Sequence, residues 1–170
     1  TNKTIKLYLG LLERFSNIGI AIQACLYRSE NDIKMMLDRG GKVRLVKGAY
    51  LESKHVAYQR KTDVDSNYIK LMKMMLNKNA LKKGCHIAIA THDQTIIHQA
   101  IEHAKNKDID RNECHFQMVY GVRRDLQTNL VKIGFKPRIY VPYGESWYPY
   151  FMRRLAERPA NLMFFLKHLL

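Results

Sequence analysis

A handful of polar side chains stand where the surrounding sequence is apolar, and their types set the chemistry available. Gln23 closes the run IGIAIQA, and Arg44 interrupts KVRLVKG between Val43 and Leu45. A guanidinium or amide withdrawn from water needs a partner, supplied either by an inward carboxylate or by the edge of a heterocyclic ligand. Lys47, Gly48 and Ala49 form a small cationic corner, which suits close approach of a phosphate or an electron-rich ring. Thr91 and His92 precede Asp93, a residue suited to capping a helix, so two hydrogen-bonding side chains share a place that favours anions. Adjacent Arg153 and Arg154 point about 100° apart on a helix and can converge on one carboxylate, with Tyr140 of the preceding strand beneath them. Each feature also has a plain structural reading: a satisfied glutamine, a buried ion pair, an ordinary cap, two solvated arginines.

Strand-like and helix-like segments alternate along the whole chain, which is the pattern of repeated βα units around a parallel sheet. A first helix is expected from Lys3 to about Phe15, and buried strands at Ile18 to Ala24, Lys42 to Gly48, Cys85 to Thr91, His115 to Gly121 and Pro137 to Tyr143. Between them Ser29 is expected to cap a helix through Leu37, Asp65 or Ser66 one ending at Gly84, and Asp93 one through about Lys105. A further helix spans Asp125 to Ile133, and two more, Trp147 to Arg158 and Ala160 to Leu170, flank Pro159. In such an architecture the loops at the carboxyl ends of the strands form the ligand crevice, and four of the five strands end in polar residues.

The fold class expected is α/β, a partial (βα)8 TIM-barrel type of about five parallel strands with crossover helices. A doubly wound nucleotide-binding sheet has no support, because no GxGxxG follows any strand. A complete barrel takes about 250 residues, and this chain has 170, beginning at Thr1 inside a helix-forming segment. It is therefore read as the later part of a longer barrel.

With 46% hydrophobic residues the chain can build a core, and no run approaches the roughly 18 apolar residues that cross a bilayer. A soluble, cytosolic protein is expected. Cys25, Cys85 and Cys114 are scattered, with no CxxC pair, and are expected to be reduced and buried. The net charge of +14 favours polyanions, but the basic residues are dispersed and accompany no zinc finger or RNP signature, so no specific nucleic acid is expected. His86, His92 and His98 recur across a strand and a helix without a geometry that converges them on a metal. GxSxG, HExxH and Walker motifs are absent.

The runs RLVKGAY (Arg44 to Tyr50), ATHD (Ala90 to Asp93), FQMVYGVRRDLQ (Phe116 to Gln127), RIYVPYG (Arg138 to Gly144) and RRLAERPAN (Arg153 to Asn161) occur in one order along the chain. Together they resemble proline dehydrogenase of the monofunctional bacterial kind, and IQAC (Ile22 to Cys25) looks like that family's strand with a flavin-contacting glutamine. The resemblance makes residues 1–170 the C-terminal part of an FAD-binding barrel domain, in an enzyme oxidising L-proline to 1-pyrroline-5-carboxylate, the first step of proline catabolism. It implies FAD as cofactor, a membrane quinone as electron acceptor, and peripheral association with the inner face of the cell membrane. By motif, Arg44 is expected near the flavin N5, Gln23 against the isoalloxazine, and Lys47, Gly48 and Ala49 along the flavin. Thr91 and His92 are expected at its phosphate or ribitol, Arg153 and Arg154 on the proline carboxylate, and Tyr140 and Met118 around the proline ring. Tyr50 and Glu157 are weaker candidates near the carboxylate site. The family's substrate-binding Lys and a nearby Asp belong to strands upstream of Thr1, so activity of this chain by itself is an open expectation. A truncated inactive remnant and a basic anion-binding module are the alternatives.

Overall fold

The computed structural model describes residues 2–48 and 52–145. Helix α1 (Asn2–Leu12) leads into β1 (Ile20–Gln23), α2 (Ser29–Asp38) and β2 (Lys42–Val46). Then follow α3 (Lys61–Met75), the short α4 (Lys78–Lys82), β3 (His86–Ala90), α5 (Gln94–Asn106), β4 (His115–Val119), α6 (Arg124–Lys132) and β5 (Arg138–Tyr140). The strands form one parallel sheet in the order β1-β2-β3-β4-β5. A doubly wound sheet reverses its strand order partway, whereas a barrel adds each βα unit beside the last. The strictly sequential order is that of a TIM-barrel type fold.

Period-2 alternation divides every strand between two faces. Ile20, Ile22, Val43, Leu45, Ile87, Ile89, Phe116 and Met118 turn to the helices and are buried with Ile33, Tyr68, Leu71, Met72, Ile96, Ala100 and Leu130. At roughly 25 cal/mol per Å² of apolar area withdrawn from water, this layer is the main source of stability. Two buried polar groups stitch α3 to the sheet. Tyr68 Oη donates to Leu45 O at 2.9 Å, and Asn67 Nδ2 donates to Ala24 O at 2.7 Å. The three cysteines are free and buried, as their scatter suggested.

Local expectations fail where tertiary contacts outweigh them. Ser29 does not cap α2; its hydroxyl donates to Gln23 O at 2.5 Å, tying the helix start to the end of β1. Helix α3 begins at Lys61, ahead of the expected cap at Asp65 or Ser66, with Arg60 bonded to Asp63 at its first turn. Asp65 is thereby moved into the helix, where it reaches Lys47 at 2.5 Å. Asp93 does cap α5, its Oδ1 accepting from the amides of Thr95 and Ile96. The two expected C-terminal helices lie outside the described residues.

Candidate functional site

The face of the sheet turned away from the helices carries Ala21 and Gln23 on β1, Arg44 on β2, Ala88 and Ala90 on β3, Gln117 on β4, and Arg138 and Tyr140 on β5. The strand register sets Ala21 beside Arg44, Arg44 beside Ala88, Ala90 beside Gln117, and Gln117 beside Arg138. Arg44 was expected to be buried, and this is corrected. It is exposed on this face, because none of the described elements covers it. Its guanidinium carbon lies 6.0 Å from the centroid of the Tyr140 ring. Three strand spacings of about 4.8 Å separate β2 from β5 along a flat sheet, so the long Arg44 and Tyr140 side chains lean toward each other across β3, which presents the small Ala88 and Ala90, and β4. A cation near an aromatic face within about 6 Å is an attractive arrangement, and here it brings two expected site residues together.

At the carboxyl pole, β2 runs into a corner that only glycine fits. Gly48 adopts φ +111°, and a Cβ there would stand 2.3 Å from Cys25 Sγ and 3.1 Å from Gln23 Oε1. Thus the Gln23 side chain and the Gly48 backbone are neighbours, with the Cys25 thiol filling the remaining space. The corner is also held by the Cys25 amide, which donates to Lys47 O at 2.9 Å.

Lys47 departs from the cationic corner read in the sequence. As an odd-numbered neighbour of Val43 and Leu45 it turns to the helix side, and its ammonium sits 2.5 Å from Asp65 Oδ1 and 2.7 Å from Asp93 Oδ2. Its charge is already matched, so it offers the pole its backbone rather than a free cation. Burial works against ionisation of Asp93, but the hydrogen bond from Lys47 and the charges of Lys47 and Lys61 outweigh it and hold the carboxyl below its ordinary value.

Thr91 is buried at the end of β3, where its Oγ1 accepts from the Asp93 amide at 3.1 Å. His92 Nε2 accepts from the Val119 amide at 2.9 Å, which places the ring proton on Nδ1 and ties β3 to β4. Tyr140 is exposed beside Arg44. Met118 is the second correction: it is 2% exposed within the helix-facing core, because it shares its side of β4 with Phe116. Gln117 holds the open face instead, and simple alternation along HFQMV would have found it. Asp65 and Cys25, which shape the pole through Lys47 and Gly48, gave no local signal. Ala49, Tyr50, Arg153, Arg154 and Glu157 lie outside the described residues.

A flavin needs hydrogen-bonding groups around a flat ring and benefits from a cation nearby. The donors available fit that requirement. Gln23 and Arg44 share one face on adjacent strands, the Gly48 backbone lies beside the Gln23 amide, and the Thr91 hydroxyl keeps its proton to donate.

Comparison with known proteins places this arrangement. The family model described as proline dehydrogenase matches residues 4–167. Proline dehydrogenase 2 of Bacillus subtilis (strain 168) is 45% identical over 166 residues, covering 97% of this chain and 53% of that protein. Proline dehydrogenase of Deinococcus radiodurans is 40% identical over 169 residues, covering 98% of this chain and 53% of its own length. The chain thus spans about half the length of these relatives. Among solved structures, Proline Utilization A from Corynebacterium freiburgense superposes with a TM-score of 0.73 at 24% identity, over 94% of this chain and 19% of that one, a likeness of fold. Proline Utilization A from Bradyrhizobium japonicum gives 0.69 at 28% identity, over 82% of this chain and 16% of that one. The sequential parallel sheet, the polar carboxyl pole and a family match running from Thr4 to Lys167 together show that the chain belongs to the proline dehydrogenase family.

Proposed function

We propose that this chain forms the flavin-facing part of an FAD-dependent enzyme that oxidises L-proline to 1-pyrroline-5-carboxylate and passes the electrons to a membrane quinone. The single observation that carries the reading is the shared face of Gln23, Arg44 and Tyr140 in a chain of this family. FAD, when bound, would supply the acceptor for a hydride from proline C5. The rest of the work falls to the chain. Arg44 places a permanent positive charge where negative charge would develop, which is the form of stabilisation that costs no reorganisation during the reaction. Gln23, seated beside the Gly48 backbone, offers an amide to the ring edge, and the Thr91 hydroxyl donates at the pole. Arg153 and Arg154 clamp the proline carboxylate and so aim C5, an orienting effect that lowers the barrier by holding the reacting atoms in line. Tyr140 packs against the proline ring. Met118 has no part in this pocket.

No helix among the described residues is long and apolar enough to cross a membrane. Contact with the quinone is proposed to be made from the membrane surface. Arg28, Lys47, Lys61, Lys70 and Arg123 reach carboxylates within the fold, while the excess of 29 Lys and Arg over 15 Asp and Glu leaves a net charge of +14. The family match over residues 4–167 is what favours the enzyme over a polyanion-binding surface.

The test is the visible spectrum of the purified protein and its response to proline without oxygen. Flavin absorption that bleaches on adding proline supports the reading, and a colourless protein that takes up no added FAD refutes it. In an active form, Arg154→Met should raise KM for proline at least tenfold with FAD still bound; an unchanged KM refutes the clamp.

A further inference from the structure

Asp93 does more than start a helix. One oxygen, Oδ1, accepts from the Thr95 and Ile96 amides and so fixes the first turn of α5. The other, Oδ2, accepts from Lys47 at 2.7 Å, at the end of β2, and from Lys61 at 3.4 Å, in the first turn of α3. Asp65, one turn further along α3, completes the group by reaching both Lys47 and Lys61. Two ammonium groups and two carboxylates alternate, and the Lys47, Asp65 and Asp93 side chains are only 21%, 20% and 20% exposed. Partial burial makes such a network stiffer than a surface pair, because solvent screens it less and each charge is restrained by two others.

A second tie extends it to the neighbouring unit. Arg123 holds the left-handed conformation with φ +51°, uncommon for a residue other than glycine, at the entry to α6. From there its guanidinium donates to Gln94, the first residue of α5, and to Asp125. The loops after β2, β3 and β4 are thus fastened to one point.

We propose that Asp93, with Lys47 as its partner, is a positioning residue for the flavin site. It acts by holding the Lys47–Gly48 corner and the Thr91–His92 corner at a fixed separation. This rests on the flavin reading given above, but the network is visible without it. The chemistry follows from the connections: the Lys47 side chain links Asp65 of α3 and the Asp93 cap of α5 directly to the peptide that leads into Gly48, and Gly48 abuts Gln23.

Asp93→Asn separates the two duties, since asparagine still caps a helix but carries no charge for Lys47. Titration of the flavin-free protein with FAD, followed by flavin fluorescence, is expected to show at least tenfold weaker binding for Asp93→Asn and for Lys47→Met. Lys47→Arg should recover most of the loss, and the double variant should be no weaker than either single one. Wild-type affinity in Asp93→Asn, or losses that multiply in the double variant, overturns the proposal. Should the wild-type protein take up no FAD, the flavin reading fails separately, and hydrogen exchange decides the network. In Asp93→Asn the Cys25 amide, bonded to Lys47 O, and the Val119 amide, bonded to His92, should exchange at least tenfold faster. The Tyr120 amide, bonded to Tyr140 O away from the network, should be unchanged. Equal exchange at all three positions overturns it.

Discussion

Alanine at position 48 tests the geometry of the carboxyl pole directly. The added methyl would lie 2.3 Å from Cys25 Sγ and 3.2 Å from Cys25 Cβ, so turning the thiol aside does not clear the clash. Carbon contacts settle at about 3.5–4.0 Å, and forcing such an overlap into a packed interior costs about 1–3 kcal/mol. Gln23 Oε1, at 3.1 Å, is the end of a flexible side chain and can move away at little cost. A separate penalty arises from φ +111°, a conformation that alanine resists by about 1–3 kcal/mol. Gly48→Ala should therefore lose about 3 kcal/mol, read as a shift of the urea midpoint at constant slope. Cys25→Ala removes the obstructing sulfur but not the backbone strain. In the double variant it should return about 1–2 kcal/mol relative to the sum of the single changes, a coupling that a double-mutant cycle resolves. Gly48→Ala within about 0.5 kcal/mol of wild type, or strictly additive single effects, would refute the packing described for this corner.

Three further outcomes follow from other parts of the molecule. Burial first, then the neighbouring His115 ring and the charges of Lys42 and Arg138, push His86 down to about 4, and the two rings lie 3.9 Å apart. Because the folded value is the depressed one, stability is complete above the ordinary value of about 6.5 and is lost as pH falls towards about 4. Allowing for a half-buried ring, about 1 kcal/mol should go between about pH 7.5 and about pH 5, and His86→Gln should abolish most of that change in urea titrations at the two pH values. Leu71→Ala opens a cavity under the sheet at a fully buried position and should cost about 2–5 kcal/mol by the same measurement; a loss below about 1 kcal/mol contradicts its place in the core. Arg44→Met, on an exposed position, should leave stability within about 0.5 kcal/mol but lower the potential of bound flavin, and an unchanged potential argues against a cation at the ring.

What could be read along the chain were features decided within a few residues. Alternation in KVRLV sets Arg44 opposite Val43 and Leu45, Asp93 caps α5 through amides two and three positions on, and the repeated change of period announces βα units. The ordered motifs located Gln23, Arg44 and Tyr140, which share the open face, but they also assigned Met118 to a pocket that its own strand alternation denies it. Only the tertiary structure decided what Lys47 does, since Asp65 and Asp93 lie 18 and 46 positions away and meet it through the adjacency of β2, β3 and α3. The same holds for the fit of Gly48 against Cys25 and for the exposure of Arg44. Ion-pair choice, steric fit and solvent access depend on which elements pack side by side, and a one-dimensional pattern carries no such distances.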